Sequence, residues 1–539
     1  MTARAPHSPA PPPATRAALL ATLRAGWRDE RAIAGGLALA LALYYLVPSP
    51  LLALPFLLAY AALAWRRLDL ALCLLPLAFP FWYVPKRALP HAVFPLSEIA
   101  LAVCVAVALA RAARGRGWAH RARWRARLRA LAGWLGRPWL WAMAVFLAAG
   151  LVGVLVARRP HEALRAWRWE VIEPPLYFAL LLLHARGPRA LRWLVGALLA
   201  SAALLALLAV AQVTLIPVTV APIAAGNRVV PLPLEPGGYR ATAFLYGSGN
   251  ALAAYLERAA PFALALALAP VGALARRGWA RGALVALIVL LVSGIALTGS
   301  RGALAASAVA LVGVAALALA GAWRRRVALS LAALVALALG AALLLSGAVP
   351  RLMAGHTISP EIRVFVWLAA LHMLRDHPLF GIGLDQFLYF YSPHFSAHPY
   401  WITSFNGRPT VAGLEPDLAH PHNLALDLWL SMGVAGLATF VALGLGALRR
   451  GLRLWRARAM DPWRAAVGLG LCGSLAAGVV HGMVDSAYFA PDLALLFWLA
   501  LALALLAGRG TRARLAGHGT MGARPADESE PGSEQRGTP

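Results

Sequence analysis

Apolar residues recur along this chain in runs of about 20, the length that crosses a bilayer, and not as short strands. About fourteen such runs can be marked, centred near residues 40, 57, 76, 103, 147, 180, 205, 262, 290, 312, 338, 435, 474 and 499. The run "PPLYFALLLLHA" near 180 is short. Helices satisfy their own backbone in lipid, so the pattern predicts an all-α polytopic integral membrane protein of about 12–14 transmembrane helices. Polar stretches divide the chain further. Residues 1–31 form an N-terminal tail expected to be disordered and cytoplasmic, and 32–349 hold spans one to eleven with short loops. Residues 350–422 make a large periplasmic loop between the last-but-three and last-but-two spans, 423–507 carry the C-terminal spans, and 508–539 form a second disordered tail. The opening "MTARAPHSPAPPPATRAALL" has prolines where a cleaved signal needs an apolar core.

Composition agrees. The 539 residues are 61% hydrophobic and only 13% charged, too little polar surface for a soluble domain. The net charge of +28 raises nucleic acid as a partner, but its arginines sit in short connectors. "WRR" at 65–67, the stretch 111–130, "ARRGWARG" at 275–282, "WRRR" at 323–326 and the stretch 449–460 all fall on one side when both termini are cytoplasmic. That is the positive-inside bias, and it sets orientation without a nucleic-acid partner. The 111–130 stretch is also suited to membrane lipid headgroups. Cys73, Cys104 and Cys472 lie inside apolar runs, which argues against disulfides and thiolate metal sites.

Three outward segments stand apart. Residues 157–175 carry four arginines against the bias, and their Trp/Arg pattern suits a helix lying in the interface. Segments 217–248 and 350–422 are long, and the second is rich in acids, histidines, aromatics and prolines. An exported loop of that length is a functional element or a small folded cap.

Connectivity brings Arg240, Arg301, Arg363, His420 and His422 to the same outer face. A guanidinium there either snorkels to headgroups or binds phosphate with a bidentate fork. Arg301, in a tight Ser-Arg-Gly turn between two apolar runs, has little room to snorkel. His422 has the reference pKa of about 6.5 that suits a general base, and Asn423 after it is a natural helix N-cap. The same two residues read equally well as an interfacial polar group and a cap. Glu415 and Asp417 are rival bases or partners for the imidazole, and Asn250 opens another apolar run. Glu257, Arg258 and Asp427 fall near span ends, and Asp485 at a boundary. No GxxxxGKS/T loop, HExxH motif, Cys/His cluster or GxSxG elbow is present, so nucleotide hydrolysis, catalytic zinc and a serine hydrolase have no visible site. "GIG" at 381–383 reads better as a turn after Pro378 than as a phosphate cradle.

Four stretches resemble the O-antigen ligase and polymerase family of bacterial envelope glycan enzymes. "RATAFLYGSGNALAAYL" from Arg240, "LTGSRGALAA" around Arg301, "RVFVWLAALHMLRDHPLFGIGLDQF" from Arg363 and "HNLALDLWLSMGVAG" from His422 follow the family's order. The last is similar to the ligase signature of His, an amide or hydroxyl residue, nine residues, Gly, two residues, Gly. Departures are Leu437 and Phe440 where a Thr-x-x-Tyr often follows, and Gly247, Ser248 and Gly249 where a proline is usual before Asn250.

The resemblance implies inverting, metal-independent transfer of a glycan from undecaprenyl diphosphate, with no cofactor, at the periplasmic face of the bacterial inner membrane. It implies that Arg240 and Arg301 bind the donor diphosphate, with Arg363 a weaker contact, and that His422 is the general base or orients the acceptor hydroxyl. Asn423, His420, Glu415, Asp417 and Asn250 would support them. A lipid A–core acceptor leads, ahead of a polymerase extending a saccharide or a protein-directed relative. A transporter of lipid-linked glycans is the reading from another class, and it needs intramembrane charges along a path.

Overall fold

The computed structural model describes residues 29–89, 92–114, 122, 125–126, 129, 132–133, 135–215, 218–222, 229–233, 240–269, 278–319, 359–402, 404–405, 408–409, 416–486 and 488–521. The run near 338, most of both tails and Glu415 lie outside them.

Helices α1 (Glu30–Leu46) and α2 (Pro50–Arg66) lead into α3 (Leu68–Leu74), which a 3-10 turn extends to Phe81. The chain bends by 120° between α2 and α3. Arg67 at the bend pairs with Asp69 at 2.9 Å and Glu30 at 3.3 Å. A hairpin of β1 (Lys86–Leu89) and β2 (Ala92–Phe94) follows, where the ammonium of Lys86 caps carbonyls of Tyr45 and Val47 at the end of α1. Then come α4 (Leu96–Arg114), α5 (Arg137–Leu155) and α6 (Pro160–Ala166), which a π-helical turn joins to α7 (Glu173–His184), then α8 (Gly187–Thr214). A hairpin of β3 (Val218–Pro222) and β4 (Val229–Pro233) separates these from α9 (Gly249–Leu268), α10 (Gly278–Leu297) and α11 (Arg301–Ala318). After α12 (Ser359–Asp376) and the short α13 (Phe387–Tyr391), a two-residue hairpin precedes α14 (Leu424–Arg456), α15 (Pro462–Gly482) and α16 (Pro491–Met521). Helix α16 runs past the tail boundary expected at 507.

Nine helices among the described residues are long and apolar enough to cross a membrane, or ten counting the bent pair. The protein is an all-α multi-pass membrane protein. Helix α9, α15 and the apolar part of α16 are 83%, 78% and 94% buried, against 28% for α5, so they form the centre. Helix α9 packs on α10, α11 and α15, and α14 packs on α5 and α15. The centre corrects one expectation. Glu257 and Arg258 are not near a span end, because α9 begins at Gly249 and buries both at mid-helix.

The 350–422 segment is a folded cap in its described part. Ile362, Val366, Ala370 and Met373 of α12 share a small apolar core with Phe387, Phe390 and Leu430, separate from the membrane core. The cap is fastened to α14 by backbone. At Gly433 the helix breaks, with φ +68°, and Val434 N–H donates to Leu379 carbonyl at 3.1 Å. Ile382 N–H donates to Leu430 carbonyl at 2.7 Å. Gly381, also at positive φ, faces that carbonyl so closely that a Cβ would strike it, and "GIG" is thus a packing turn.

Three of the four arginines of 157–175 hold this cap as well, and the fourth pairs with α4. Arg158 lies 3.7 Å from the Phe390 ring centroid, and Arg159 lies 5.4 Å from that of Tyr389. Arg165 pairs with Asp385 at 3.2 Å and Glu162 at 2.6 Å, and Arg168 with Glu98 at 3.2 Å. Carboxylates and aromatic faces explain charges that the orientation rule does not.

Candidate functional site

Arg240 is set in place by its neighbours. Ala241 N–H donates to the Leu297 carbonyl at 2.9 Å. Thr242 is clasped by Gln212, whose Oε1 accepts from Thr242 N–H at 2.8 Å and whose Nε2 donates to Thr242 Oγ1 at 3.2 Å. Ala243 and Phe244 follow at φ +52° and +58° in a tight turn. The guanidinium then reaches across: Nε donates to the Thr298 carbonyl at 2.9 Å and Nη2 to Asn250 Oδ1. Ser248 caps α9 by accepting from Ala251 N–H at 3.2 Å.

Thr298 and Gly299 form the turn that ends at Arg301. Ser300 is the N-cap of α11, its Oγ accepting from Ala303 N–H at 3.4 Å. Arg240 and Arg301 thus flank one turn, and the first turns of α9 and α11 lie beside it. Helix N-termini carry partial positive charge and unpaired N–H groups, a setting that favours an anion.

His422 sits on the neighbouring element. Its φ is +51°, a backbone state that a non-glycine residue seldom adopts. Nδ1 lies 2.9 Å from Oδ1 of Asp485, in the loop between α15 and α16. A carboxylate accepts only, so Nδ1 carries the proton in this contact and Nε2 is left as the base. Burial opposes the Asp485 charge, but the His422 hydrogen bond and the imidazoles of His422 and His481 outweigh it and hold the carboxyl down to about 2. Asn423 caps α14, accepting from Ala425 and Leu426 N–H at 3.1 Å each. Its amide donates to Met483 carbonyl at 3.0 Å, tying the cap to the same loop. From the folded loop, Trp367 Nε1 donates to His422 carbonyl at 3.3 Å. Arg363 lies one turn before Trp367 on α12, partly buried.

His481, on α15, joins the two halves. Its Nε2 is 3.4 Å from Ser300 Oγ and 3.9 Å from Asp485 Oδ2. Its Nδ1 is 3.1 Å from Glu257 Oε2. Gly302 makes the approach possible, since a Cβ there would lie 2.9 Å from His481 Cδ2.

The remaining candidates are placed elsewhere. His420 pairs with buried Asp427 at 3.2 Å and stacks on Phe489, with ring centroids 6.4 Å apart. Burial works against its charge, but the Asp427 carboxylate, then that of Asp385, pushes it up to about 9. Asp417 serves the loop: it accepts from Ser392 Oγ at 2.5 Å and holds His394 Nδ1 at 2.9 Å, bonds that lower its pKa. The acid beside His422 is Asp485, not Asp417. Neither Asp485's pairing nor any part for His481 could be read from the chain; an acid at a span boundary was the sole hint. Among the described residues no three His, Cys, Asp or Glu side chains group as a metal site.

Comparison with known proteins adds one match: residues 286–441 fit the family model described as O-Antigen ligase. That segment contains Arg301, Arg363 and His422. No curated protein matches the chain.

Proposed function

Because residues 286–441 place the chain in the O-antigen ligase family, we propose that it is a membrane glycosyltransferase moving a glycan from undecaprenyl diphosphate to an acceptor hydroxyl. Lipid A–core is the acceptor we favour, and the periplasmic leaflet of the inner membrane the location. The observation that carries this is the meeting of Arg240, the Ser300–Arg301 turn and the His422–Asp485 pair around His481.

The geometry accommodates a single inverting displacement. The acceptor oxygen attacks the anomeric carbon while His422 Nε2 takes its proton, a service that contributes about 10²- to 10⁴-fold. The bond from that carbon to the diphosphate oxygen breaks, and negative charge grows on the leaving group. Arg240, Arg301 and the nearby helix starts meet that charge, and fixed cations help most where charge develops. Asp485 keeps the imidazole in one tautomer and stabilises it once protonated.

An apolar cavity of about 450 Å³ opens beside the site, lined by Leu424, Leu428, Phe440, Val479, Met483 and Phe497 among others. It begins next to the Asn423 cap and suits a polyprenyl chain. The transporter reading gains from Glu257 and Arg258 at mid-helix, but Glu257 closes on His481 and leads back to His422.

Purified protein given undecaprenyl-diphosphate glycan and several acceptors should yield a product and undecaprenyl diphosphate. Translocation of lipid in vesicles with no transfer would overturn the enzyme reading. A His422→Cys protein should react with an impermeant thiol reagent from outside the cell, since Cys73, Cys104 and Cys472 are buried. Labelling only after lysis would reverse the orientation.

A further inference from the structure

Beneath His422 and Asp485 lies a second acid–imidazole pair that touches no reacting atom in the scheme above. Glu257 on α9 and His481 on α15 are 0% and 1% exposed. Their 3.1 Å contact is surrounded by helices α9, α11 and α15. Neither Glu257 oxygen, nor His481 Nδ1, nor Asp485 Oδ2 makes a well-formed hydrogen bond within the protein. Ionisable groups inside a helical membrane bundle are costly. An apolar pair of the same volume is often as stable or more so. Stability therefore gives no reason for this cluster to exist.

Its position does. His481 Nε2 faces Ser300 Oγ on one side and Asp485 Oδ2 on the other, at 3.4 and 3.9 Å. Ser300 starts the helix that carries Arg301, and Asp485 holds His422 through its other oxygen. One buried imidazole thus bears on both the diphosphate side and the base side, and Glu257 fixes the ring from behind. We infer that Glu257 and His481 are positioning residues that keep the Arg301 turn and the Asp485 carboxylate in register. Base and anion clamp then close on the same substrate. The inference rests on the transferase reading.

The test uses the full-length protein in nanodiscs, with undecaprenyl-diphosphate glycan and acceptor for turnover, and undecaprenyl diphosphate alone for binding. Glu257→Gln and His481→Gln should each lower kcat by about 10- to 100-fold and weaken undecaprenyl diphosphate binding by about 3- to 10-fold. Residues acting as a unit are not additive, so the double variant should be no worse than the poorer single. In an Asp485→Asn background each change should lower kcat by clearly less than it does in the wild type, because only the arm to Ser300 remains. Losses that multiply across that background would mark a merely structural pair and overturn the inference. Where a glutamine variant fails to fold, Glu257→Asp withdraws the carboxylate by one methylene; wild-type kcat and binding in that protein would also overturn it. If the wild type performs no transfer, the transferase reading fails instead; if His422→Ala retains transfer, only the assignment of His422 as the base fails. Binding still decides the inference then: wild-type affinity in both variants refutes it.

Discussion

Two histidine–aspartate pairs in this protein have histidines two residues apart and sit in different surroundings. Exposure does not separate them, since the side chains of His420 and His422 are 27% and 30% exposed. Their partners do. His420 takes Asp427, seven residues along the same segment, and the ring stacks on Phe489. With its pKa pushed up to about 9, it is a cation near neutral pH and has no lone pair for a substrate proton. His422 takes Asp485 from a loop 63 residues away, on a strained backbone, beside the turn of Arg301. Both carboxylates are buried, so what differs is reach: Asp427 is local to His420, whereas Asp485 comes from a distant loop and also faces His481, which suits the proposed base.

The comparison can be broken at several points. His422→Ala is expected to reduce transfer about 10³-fold with expression intact, while His420→Ala keeps more than about a tenth of the rate; mass spectrometry of the product lipid reads both. Equal losses would erase the distinction. Asp485→Asn, which keeps shape and removes charge, should lower kcat by about 10²-fold or more, whereas Asp427→Asn chiefly lowers the melting temperature. Arg301→Lys should cost about 10- to 100-fold in kcat with smaller change in donor KM, because a lysine lacks the bidentate fork.

His420 offers a pH signature. Its pKa is raised, so its contribution to stability is fully present below about 6.5 and is lost as pH climbs through about 9. Thermal melts from pH 7 to 10 should fall more steeply for the wild type than for His420→Gln. The smallest effect belongs to Asp417→Asn, which should leave turnover within about 2-fold, since Asp417 bonds Ser392 and His394.

Much of the fold was legible because lipid enforces long apolar helices, and Arg240, Arg301, His422 and Asn423 could be singled out as candidates because each lies in a contiguous motif. What was hidden is pairing between distant elements. Asp485 and His481 are isolated residues in apolar surroundings, and only the packing of α14 and α15 brings them to His422. The depth of Glu257 was misjudged because the start of α9 depends on Ser248, a cap that a hydropathy run does not show. Helix α12 was subsumed in a loop because it buries its apolar residues against the cap and not in lipid.

The break at Gly433 has a consequence for diversity. The loop over the site is sewn to α14 through main-chain N–H and carbonyl groups, at Ile382 with Leu430 and at Val434 with Leu379. Such stitches ask for glycine at the tight points, and the side-chain contacts that fasten the loop beside them include Trp367 to the His422 carbonyl, Arg165 to Asp385, and the apolar contact with Leu430. Segments of the loop away from these contacts can therefore vary in sequence without loosening its attachment to α14. The loop is anchored like a brooch, by a pin at Gly381 and Gly433: Gly381→Ala or Gly433→Ala should release it and lower the melting temperature, whereas changes at the exposed side chains of Leu379 or Phe395 should not.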